Sequence, residues 1–253
     1  MIRVSILGAG NVAAHLFHAF LKAPTVKLVQ VYGRNSNNLI PFESKVDTTT
    51  NLNTLKKADV YIIAISDDAI AKFSSQLKSI DSLVVHTSGG VDMDVLSDTV
   101  RKGVFYPLQT FTKNKAVDFK GIPICIEAQH NTDLVLLEKL ATAISNDVYI
   151  INSKQRASLH IAAVFVNNFT NHMYHIGHTI CVKNTVPFEI LAPLIQETAK
   201  KILDLSPYNA QTGPAKRNDT QTIAKHIAQL SGTNKKLYEL ITKSITSTYE
   251  QKL

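Results

Sequence analysis

The chain has 253 residues, of which 45% are hydrophobic and 19% charged, which is the composition of a soluble globular protein long enough for two domains. Its net charge of +7 is compatible with a nucleic-acid partner, but no block of five or more like charges occurs. We interpret the charge as a solvated basic surface that suits a phosphorylated cofactor or an acidic substrate, and expect no nucleic-acid partner.

Cysteine usage and the absence of a signal peptide predict the cellular compartment. Cys125 and Cys181 show neither CxxC nor metal-ligand spacing, so we expect a reducing cytoplasm. Residues 157–182 contain no Lys, Arg, Asp or Glu. Their histidines and asparagines are too numerous for a lipid-facing helix. We therefore expect no membrane partner and predict a buried helix at the centre of a soluble domain.

The first 152 residues alternate β-branched runs with helical stretches, the βαβ pattern of a parallel sheet. The predicted strands are 3–7, 27–32, 59–65, 82–87, 103–108, 122–127 and 147–151. The predicted helices are 11–22, 36–44, 67–79 and 131–145. We interpret residues 1–152 as a Rossmann NAD(P)-binding domain.

From residue 153 to the end the pattern is helical throughout. The predicted helices are 153–182, 187–204, 219–230 and 234–250, with Pro187, Pro207 and Gly213-Pro214 at the joins. The predicted fold class is therefore α/β: a doubly wound Rossmann sheet followed by an all-α C-terminal domain over residues 153–253.

A glycine-rich turn follows the first predicted strand and opens a helix. Gly8, Gly10 and Ala13 form a G-x-G-x-x-A motif, with Asn11 and Val12 between them. Gly8 allows the tight turn, Gly10 lets the backbone approach a pyrophosphate, and Ala13 permits close packing of helix on strand. The N–H groups that start the helix would then meet the phosphates.

The end of the second strand indicates which dinucleotide binds. NAD-type domains usually carry an acid there, but this strand ends VYGRNSNN and no acid occurs before Glu43. Arg34, Asn35 and Ser36 offer positive charge and donors where a 2′-phosphate would lie. The sequence favours NADP(H) and leaves NAD(H) open, because Arg34 is also acceptable as an ordinary loop arginine.

Two further loops leave strands at the edge where ligands of such sheets bind. The first carries Ser66 and Asp67, and simple N-capping is the favoured role of one acid of its Asp67-Asp68 pair. The second, HTSGG over residues 86–90, carries Ser88. Ser66, Asp67 and Ser88 are further cofactor-binding candidates.

The helix over 156–180 has two distinct faces. The apolar face contains Ile161, Ala162, Phe165, Val166, Phe169, Met173, Ile176 and Ile180. The other face contains Arg156, His160, Asn167, Asn171 and His178. Such a stripe of imidazoles and amides suits either a polar substrate or a hydrogen-bond network between helices, and the sequence leaves both open.

Five residues are candidates for the chemistry. His160 would transfer the proton, because imidazole titrates near neutrality. Asn167 or Asn168 would orient the substrate, and Asn171 lies on the same stripe. Arg217 would meet an anionic substrate group if its segment closes over the site.

Three histidines of the same helix are the candidates for a metal site. His172, His175 and His178 are spaced by three residues, but no carboxylate accompanies them and the first and last point apart. We expect no metal.

Six motifs together resemble a known family: GAGNVA, ISDDAI, HTSG, FYPLQTF, LHIAAVFVNNFTNH and TGPAKRND. The chain resembles, over essentially its whole length, proteins that join a Rossmann-like domain to the domain of unknown function 2520. These are similar in plan to pyrroline-5-carboxylate reductase, ketopantoate reductase and the 6-phosphogluconate/β-hydroxyacid dehydrogenases. Their usual label, NADP oxidoreductase, sometimes with a deazaflavin coenzyme, comes from the N-terminal domain and implies no substrate.

The resemblance carries over to particular residues. It implies that Gly8, Gly10 and Ala13 hold the pyrophosphate, that the Arg34 loop holds the adenosine end, and that the helical domain forms a homodimer. The β-hydroxyacid dehydrogenases use a Lys-x-x-x-Asn pair. Here His160 stands near the expected lysine and Val164 follows four residues later, so that chemistry is not transferred.

Two functions remain open at this point. The first is an NADP(H)-dependent oxidoreductase that acts on a small polar or anionic substrate bound between the two domains. The alternative is a non-catalytic NADP(H)-binding regulator or dimeric scaffold, because fold alone does not supply function.

Overall fold

The computed structural model describes residues 1–77, 80–113 and 115–250. Within them lies an eight-stranded sheet in the order β3-β2-β1-β4-β5-β6-β7-β8. The strands are β1 (Ile2–Leu7), β2 (Val26–Tyr32), β3 (Thr48–Thr49), β4 (Val60–Ile63), β5 (Leu83–His86), β6 (Arg101–Pro107), β7 (Ile124–Ala128) and β8 (Val148–Ile150). The seven strands expected from the sequence are confirmed, and the two-residue β3 is new.

The sheet is parallel except at one junction. β6 and β7 pair antiparallel, whereas every other neighbouring pair is parallel. A parallel pairing requires a crossover, usually a helix. The described part of the connection between β6 and β7 holds only a 3₁₀ turn at Phe119–Gly121. The parallel sheet expected from the sequence is therefore confirmed except at this one pair.

Ten α-helices occur in the described residues. They are α1 (Asn11–Leu21), α2 (Ile40–Glu43), α3 (Ile70–Ser74), α4 (Asn131–Thr142), α5 (Ser153–Ala163), α6 (Thr170–Lys183), α7 (Ala192–Lys200), α8 (Pro207–Ala210), α9 (Thr220–Gln229) and α10 (Gly232–Glu250). Three predicted helices are shorter, because 3₁₀ turns occupy 36–38, 67–69, 188–191 and 201–203. Residues 78–79 of the helix predicted over 67–79 lie outside the described residues. None of these helices is long and apolar enough to cross a membrane.

The sheet buries apolar side chains on both faces. Successive residues of one strand belong to two separate apolar clusters. Ile6 belongs to the cluster that contains α1 and α4, and Leu7 belongs to the cluster that contains α3. Ile62 and Ile63 of β4 divide in the same way. Helices on both faces are what a doubly wound parallel sheet requires, so the predicted fold class is confirmed.

The strand order also locates the crevice where ligands of such folds bind. The chain passes from β1 to β2 on one side and later returns to β4 on the other side of β1. The loops that follow β1 and β4 therefore diverge at the carboxyl edge of the sheet, which is the topological switch point. Gly8 and Ala64 open these two loops.

The chain divides into two compact units, residues 1–168 and 169–253. The last strand ends at Ile150, and every later element is helical. The change from strand to helix thus falls where the sequence pattern changes. The functional domain boundary at residues 152/153 stays a prediction.

The helical segment after β8 differs from its prediction. A π-helical stretch, Val164–Phe169, separates α5 from α6. Residues 157–182 do not form a buried helix in the single chain, because Ile161, Phe165 and Val166 are 61%, 61% and 73% exposed. Amphipathic periodicity shows that a face is apolar, but not whether the same chain covers it.

Candidate functional site

The turn after β1 has the backbone that its glycines predict. Gly8 has φ +143°, and a Cβ there would lie 2.1 Å from the carbonyl oxygen of Ala64, so only glycine fits. Gly10 is the N-cap of α1 and has no capping side chain. A Cβ on Gly10 would meet no described atom within 4 Å. Open space therefore lies in front of the unpaired N–H groups and the positive end of α1, which fits a pyrophosphate.

A cavity of about 970 Å³ lies along the carboxyl edge of the sheet at this turn. It brings together seven predicted cofactor residues: Gly8, Gly10, Asn11, Val12, Arg34, Asn35 and Ser66. Its lining includes the exposed cation of Arg34 and no Asp or Glu. The volume is within the range of ligand pockets, and the charge suits a phosphorylated ligand.

Four predicted cofactor residues do not line this cavity. Ala13 is fully buried in the core, which agrees with its expected part in helix packing rather than ligand contact. Ser36 begins a 3₁₀ turn whose cap is the side chain of Asn35. Asp67 and Ser88 contact each other instead. A direct contact between these residues and a cofactor stays a prediction.

The sequence reasoning missed the second cation of the cavity. Lys72 lines the same space and lies on α3, as does Phe73, whose ring is 5.5 Å from that of Tyr32. The first turns of a helix that follows β4 lie beside the crevice. The position of Lys72, six residues after Ser66, was the available signal.

A second group of side chains lies just beyond the cavity, and we call Asp67, Ser88, Tyr106 and His160 the strand-end cluster. Ser88 Oγ donates a hydrogen bond to Asp67 Oδ2 at 2.8 Å. The Tyr106 hydroxyl lies 3.3 Å from His160 Nδ1 and donates to that nitrogen when it is unprotonated. The cluster thus combines a carboxylate, two hydroxyls and an imidazole.

Gly89 joins the two halves of the strand-end cluster. A Cβ on Gly89 would lie 2.6 Å from His160 Nδ1 and 2.7 Å from Tyr106 Cζ. The His160 and Tyr106 rings meet edge to face, 6.3 Å between centroids. Only glycine lets the loop after β5 approach both rings this closely.

The strand-end cluster borders the cavity through two chain connections. Ser66 and Thr87 line the cavity, and the next residue of each loop, Asp67 and Ser88, belongs to the cluster. Tyr106 is at the carboxyl end of β6, two strands from β4 in the sheet. The end-of-strand position of Tyr106 was the sequence signal that pointed to it, and it was overlooked.

A buried ion pair fixes the start of α5, and with it His160. Arg156 is 1% exposed and pairs with Glu127 of β7. Arg156 Nη2 also donates to the carbonyl oxygen of Val91 at 2.5 Å, and Ser153 Oγ donates to Glu127 Oε2 at 2.8 Å. His160 follows Arg156 by four residues and so lies on the same helical face.

His86 lies beneath the strand-end cluster and is fully buried. Burial, and next the positive charge of Arg156, lower the pKa of His86 to about 4. Its Nδ1 accepts a hydrogen bond from the Ser88 backbone N–H at 3.2 Å. His86 is therefore neutral at pH 7 and supports the loop rather than donating protons.

The remaining predicted catalytic residues, Asn167, Asn168, Asn171 and Arg217, are all exposed. Asn167 and Asn168 are exposed in the π-helical stretch and contact each other, 3.5 Å from Nδ2 to Oδ1. Asn171 and Arg217 are exposed in the second compact unit. Their part in the chemistry stays a prediction.

The helix histidines have ring neighbours of their own. His172 and His175 stack at 6.1 Å, and His178 meets the Phe188 ring at 5.2 Å. Over residues 1–77, 80–113 and 115–250, no group of three or more His, Cys, Asp or Glu side chains is placed to hold a metal ion.

Fold and site together define a dinucleotide-binding protein of the Rossmann class. Two family models match the chain: residues 3–90 match "NADP oxidoreductase coenzyme F420-dependent", and residues 122–245 match the domain of unknown function DUF2520. The comparison with curated proteins found no match.

Solved structures cover nearly the whole chain. A Bacteroides fragilis protein provisionally described as an NADP oxidoreductase is 40% identical, with TM-score 0.89 over 97% of this chain and 98% of that one. Protein TM1727 of Thermotoga maritima is 18% identical, with TM-score 0.75 over 98% of each chain. An imine reductase of Myxococcus stipitatus in complex with NADP⁺ is 13% identical, with TM-score 0.66 over 98% and 93%. The last two show the fold alone.

The chain therefore belongs to the NADP oxidoreductase family of the Bacteroides fragilis protein, in which a Rossmann-like domain precedes DUF2520. The family resemblance identified from the sequence motifs is confirmed.

Proposed function

We propose that the protein is an NADP(H)-dependent oxidoreductase that transfers a hydride to or from a small polar substrate. The observation that carries the proposal is the adjacency of two sites: a phosphate-compatible cavity and a cluster of proton-bearing side chains one residue beyond its lining. A protein that only binds nucleotides has no need of the second site.

The residues that would hold the cofactor follow from the cavity lining. The backbone at Gly8–Val12 would bind the pyrophosphate, and Arg34 with Asn35 would bind the 2′-phosphate at the end of β2. An exposed guanidinium with no acid in the cavity lining favours a phosphate over a bare ribose hydroxyl. When bound, NADP(H) supplies or accepts the hydride.

Within the chain, His160 is the proposed proton carrier. Its Nδ1 is held by the Tyr106 hydroxyl, so Nε2 is left to exchange a proton with the substrate. Tyr106 fixes the ring orientation, since Gly89 packs against both rings. Arg156 and Glu127 hold the helix that carries His160.

Cofactor choice is tested by titration with NADPH and NADH. Arg34→Ala should weaken NADPH binding about tenfold or more and leave NADH binding unchanged, because only NADPH carries the 2′-phosphate. Lys45→Ala removes the same charge from an exposed position outside the cavity and serves as the matched control. Equal affinity for NADPH and NADH would refute the NADP(H) assignment.

Catalysis is tested with a panel of oxo acids, aldehydes and imines. Tight NADPH binding without turnover on the whole panel would favour the alternative, a non-catalytic regulator. If turnover is found, His160→Ala should lower kcat about a hundredfold or more, as expected for loss of a general acid or base. An unchanged kcat would remove His160 from the mechanism.

We also propose a homodimer in the cytoplasm. The second compact unit buries only Ala210 and Ala215 among its described apolar side chains, while Ile190 and Leu194 are 66% and 62% exposed. Exposed apolar surface of this kind marks an association site. Leu194→Glu should convert a dimer to a monomer in light scattering. Val135→Glu, an exposed apolar position on α4, is the matched control.

A further inference from the structure

The role of Asp67 is not explained by local structure. It lies in the first turn of the 3₁₀ helix over 67–69, yet neither it nor the N-cap Ser66 caps a backbone N–H through its side chain. Asp67 accepts from Ser88, a residue on another loop, and its other oxygen, Oδ1, has no hydrogen-bond partner among the described residues. The helix-capping role considered for this acid is therefore wrong.

Ser88 fixes the direction of this carboxylate. Its hydroxyl oxygen accepts from the backbone N–H groups of Gly90 at 3.2 Å and Val91 at 3.1 Å, so its single hydrogen is left for Asp67. Ser88 is buried, whereas Asp67 is exposed. A buried hydroxyl thus holds an accessible carboxylate in one orientation, which an ordinary surface acid does not need.

The charges around Asp67 leave its negative charge uncompensated. Tyr106 has a raised pKa, first because of burial and then because of electrostatic interaction with Cys125 and Asp67. Arg156, the cation whose charge also reaches Tyr106, is buried and already paired with Glu127. No salt bridge to Asp67 occurs within residues 1–77, 80–113 and 115–250.

We propose that Asp67 is the counter-ion for a positively charged nitrogen on the substrate, so that the substrate is an amine, an imine or another cationic nitrogen compound. This inference rests on the proposed function for its redox step. The Asp67 carboxylate, oriented by Ser88 beside His160 and Tyr106, is the negative partner of the strand-end cluster. Asp67 follows Ser66, which lines the cofactor cavity, but does not itself line it. The proposal therefore assigns Asp67 to substrate binding instead of cofactor binding.

The chemistry is consistent with the side chains present. An imine nitrogen takes the Nε2 proton from the imidazolium form of His160, which leaves a neutral imidazole protonated on Nδ1, and becomes a cation beside Asp67. Addition of a hydride to the adjacent carbon moves the C=N electron pair onto nitrogen, which gives the amine and discharges the cation. The hydride comes from the reduced nicotinamide dinucleotide of the proposed function, which is oxidised in the same step.

The test uses three five-membered-ring probes of different charge with the full-length, NADPH-saturated protein: pyrrolidinium, cyclopentanol and cyclopentanecarboxylate. Calorimetric titration should show that pyrrolidinium binds about fivefold more tightly than cyclopentanol. This ratio corresponds to the upper end of the interaction energies of partly solvated ion pairs. The preference should shrink as salt rises. Cyclopentanecarboxylate should bind most weakly.

Two variants complete the experiment. Asp67→Asn should abolish the preference for pyrrolidinium while NADPH affinity stays unchanged. Asp68→Asn removes the same charge from the next residue, also exposed, and should keep the preference. The proposal is overturned if pyrrolidinium and cyclopentanol bind equally, or if Asp67→Asn retains the preference. Because NADPH affinity is measured separately, loss of NADPH binding in the wild type would instead refute the proposed function.

Discussion

The two ends of the sheet's carboxyl edge carry different kinds of chemical groups. At the cofactor end, backbone N–H groups and the exposed cation of Arg34 face an open cavity. At the other end, the strand-end cluster lies over the buried Arg156, which pairs with Glu127, and over the buried, neutral His86. Changes to side chains that face the cavity should therefore cost affinity, whereas changes under the strand-end cluster should cost stability.

The largest effect is expected at the buried ion pair. Arg156→Met removes the buried cation that pairs with the largely buried Glu127 carboxylate, so the free energy of unfolding should fall by about 3–5 kcal/mol. Urea denaturation measures this loss. Arg3→Met, which breaks the half-exposed pair with Asp59, should cost far less because water screens those charges. Similar losses in both variants would contradict the comparison.

The buried histidine should make this end sensitive to pH. The pKa of His86 falls from 6.5 in the unfolded chain to about 4 in the fold, so the unfolded state binds the extra proton between these values. Stability is therefore lost as pH falls, by about 2 kcal/mol between pH 7 and pH 5. The neighbouring charges are Arg156, which lowers the pKa, and Asp92, which raises it.

Substitutions separate this contribution from other titrations. His86→Gln should flatten the dependence of unfolding free energy on pH in that window. His18→Gln, on an exposed position of α1, should leave the dependence intact. A wild-type protein with equal stability at pH 5 and pH 7 would show that His86 is not held neutral.

At the cofactor end, alanine substitutions of two glycines should affect different properties, NADPH affinity in one case and fold stability in the other. Gly10→Ala should fold normally, since the new Cβ meets no described atom, but should bind NADPH at least about tenfold more weakly because the methyl group fills the approach of the pyrophosphate. Gly8→Ala places a Cβ 2.1 Å from a backbone oxygen and should destabilise the fold itself. Thermal melts and NADPH titration distinguish the two results. Normal NADPH affinity in Gly10→Ala would place the pyrophosphate elsewhere.

The smallest effect is expected for the second cation of the cavity. Lys72→Met should weaken NADPH binding about threefold, because an exposed ammonium contributes little to a screened interaction. Fluorescence titration against Lys45→Met, an exposed lysine outside the cavity, measures the difference. A hundredfold loss would mean that Lys72, not Arg34, is the main phosphate ligand.

Sequence analysis identified the features that are formed by contiguous residues. The turn at Gly8–Ala13 and the acid-free end of β2 are contiguous segments, so their chemistry is visible without a fold. Tyr106 and Asp67 required the fold, because their neighbours come from different strands and loops. Asp67 was assigned to the cofactor only because it follows a strand that borders the crevice.

The helical region shows a second limit of sequence. The apolar residues around Phe165 and Val166 are amphipathic as predicted, but in the single chain they are exposed. Periodicity reports the side of a helix that avoids water and carries no information on the identity of the partner surface. The π-helical stretch at Val164–Phe169 was also not predictable from the sequence, because one extra residue in a helical turn does not change the amino-acid composition in a recognisable way.

A structure of the full chain with NADPH bound tests the central claim most directly. The account predicts the pyrophosphate on the N-terminus of α1, the 2′-phosphate at Arg34, and the nicotinamide C4 atom within about 4 Å of a space bordered by Asp67, Tyr106 and His160, near the separation that hydride transfer requires. A nicotinamide ring directed away from the strand-end cluster would contradict it.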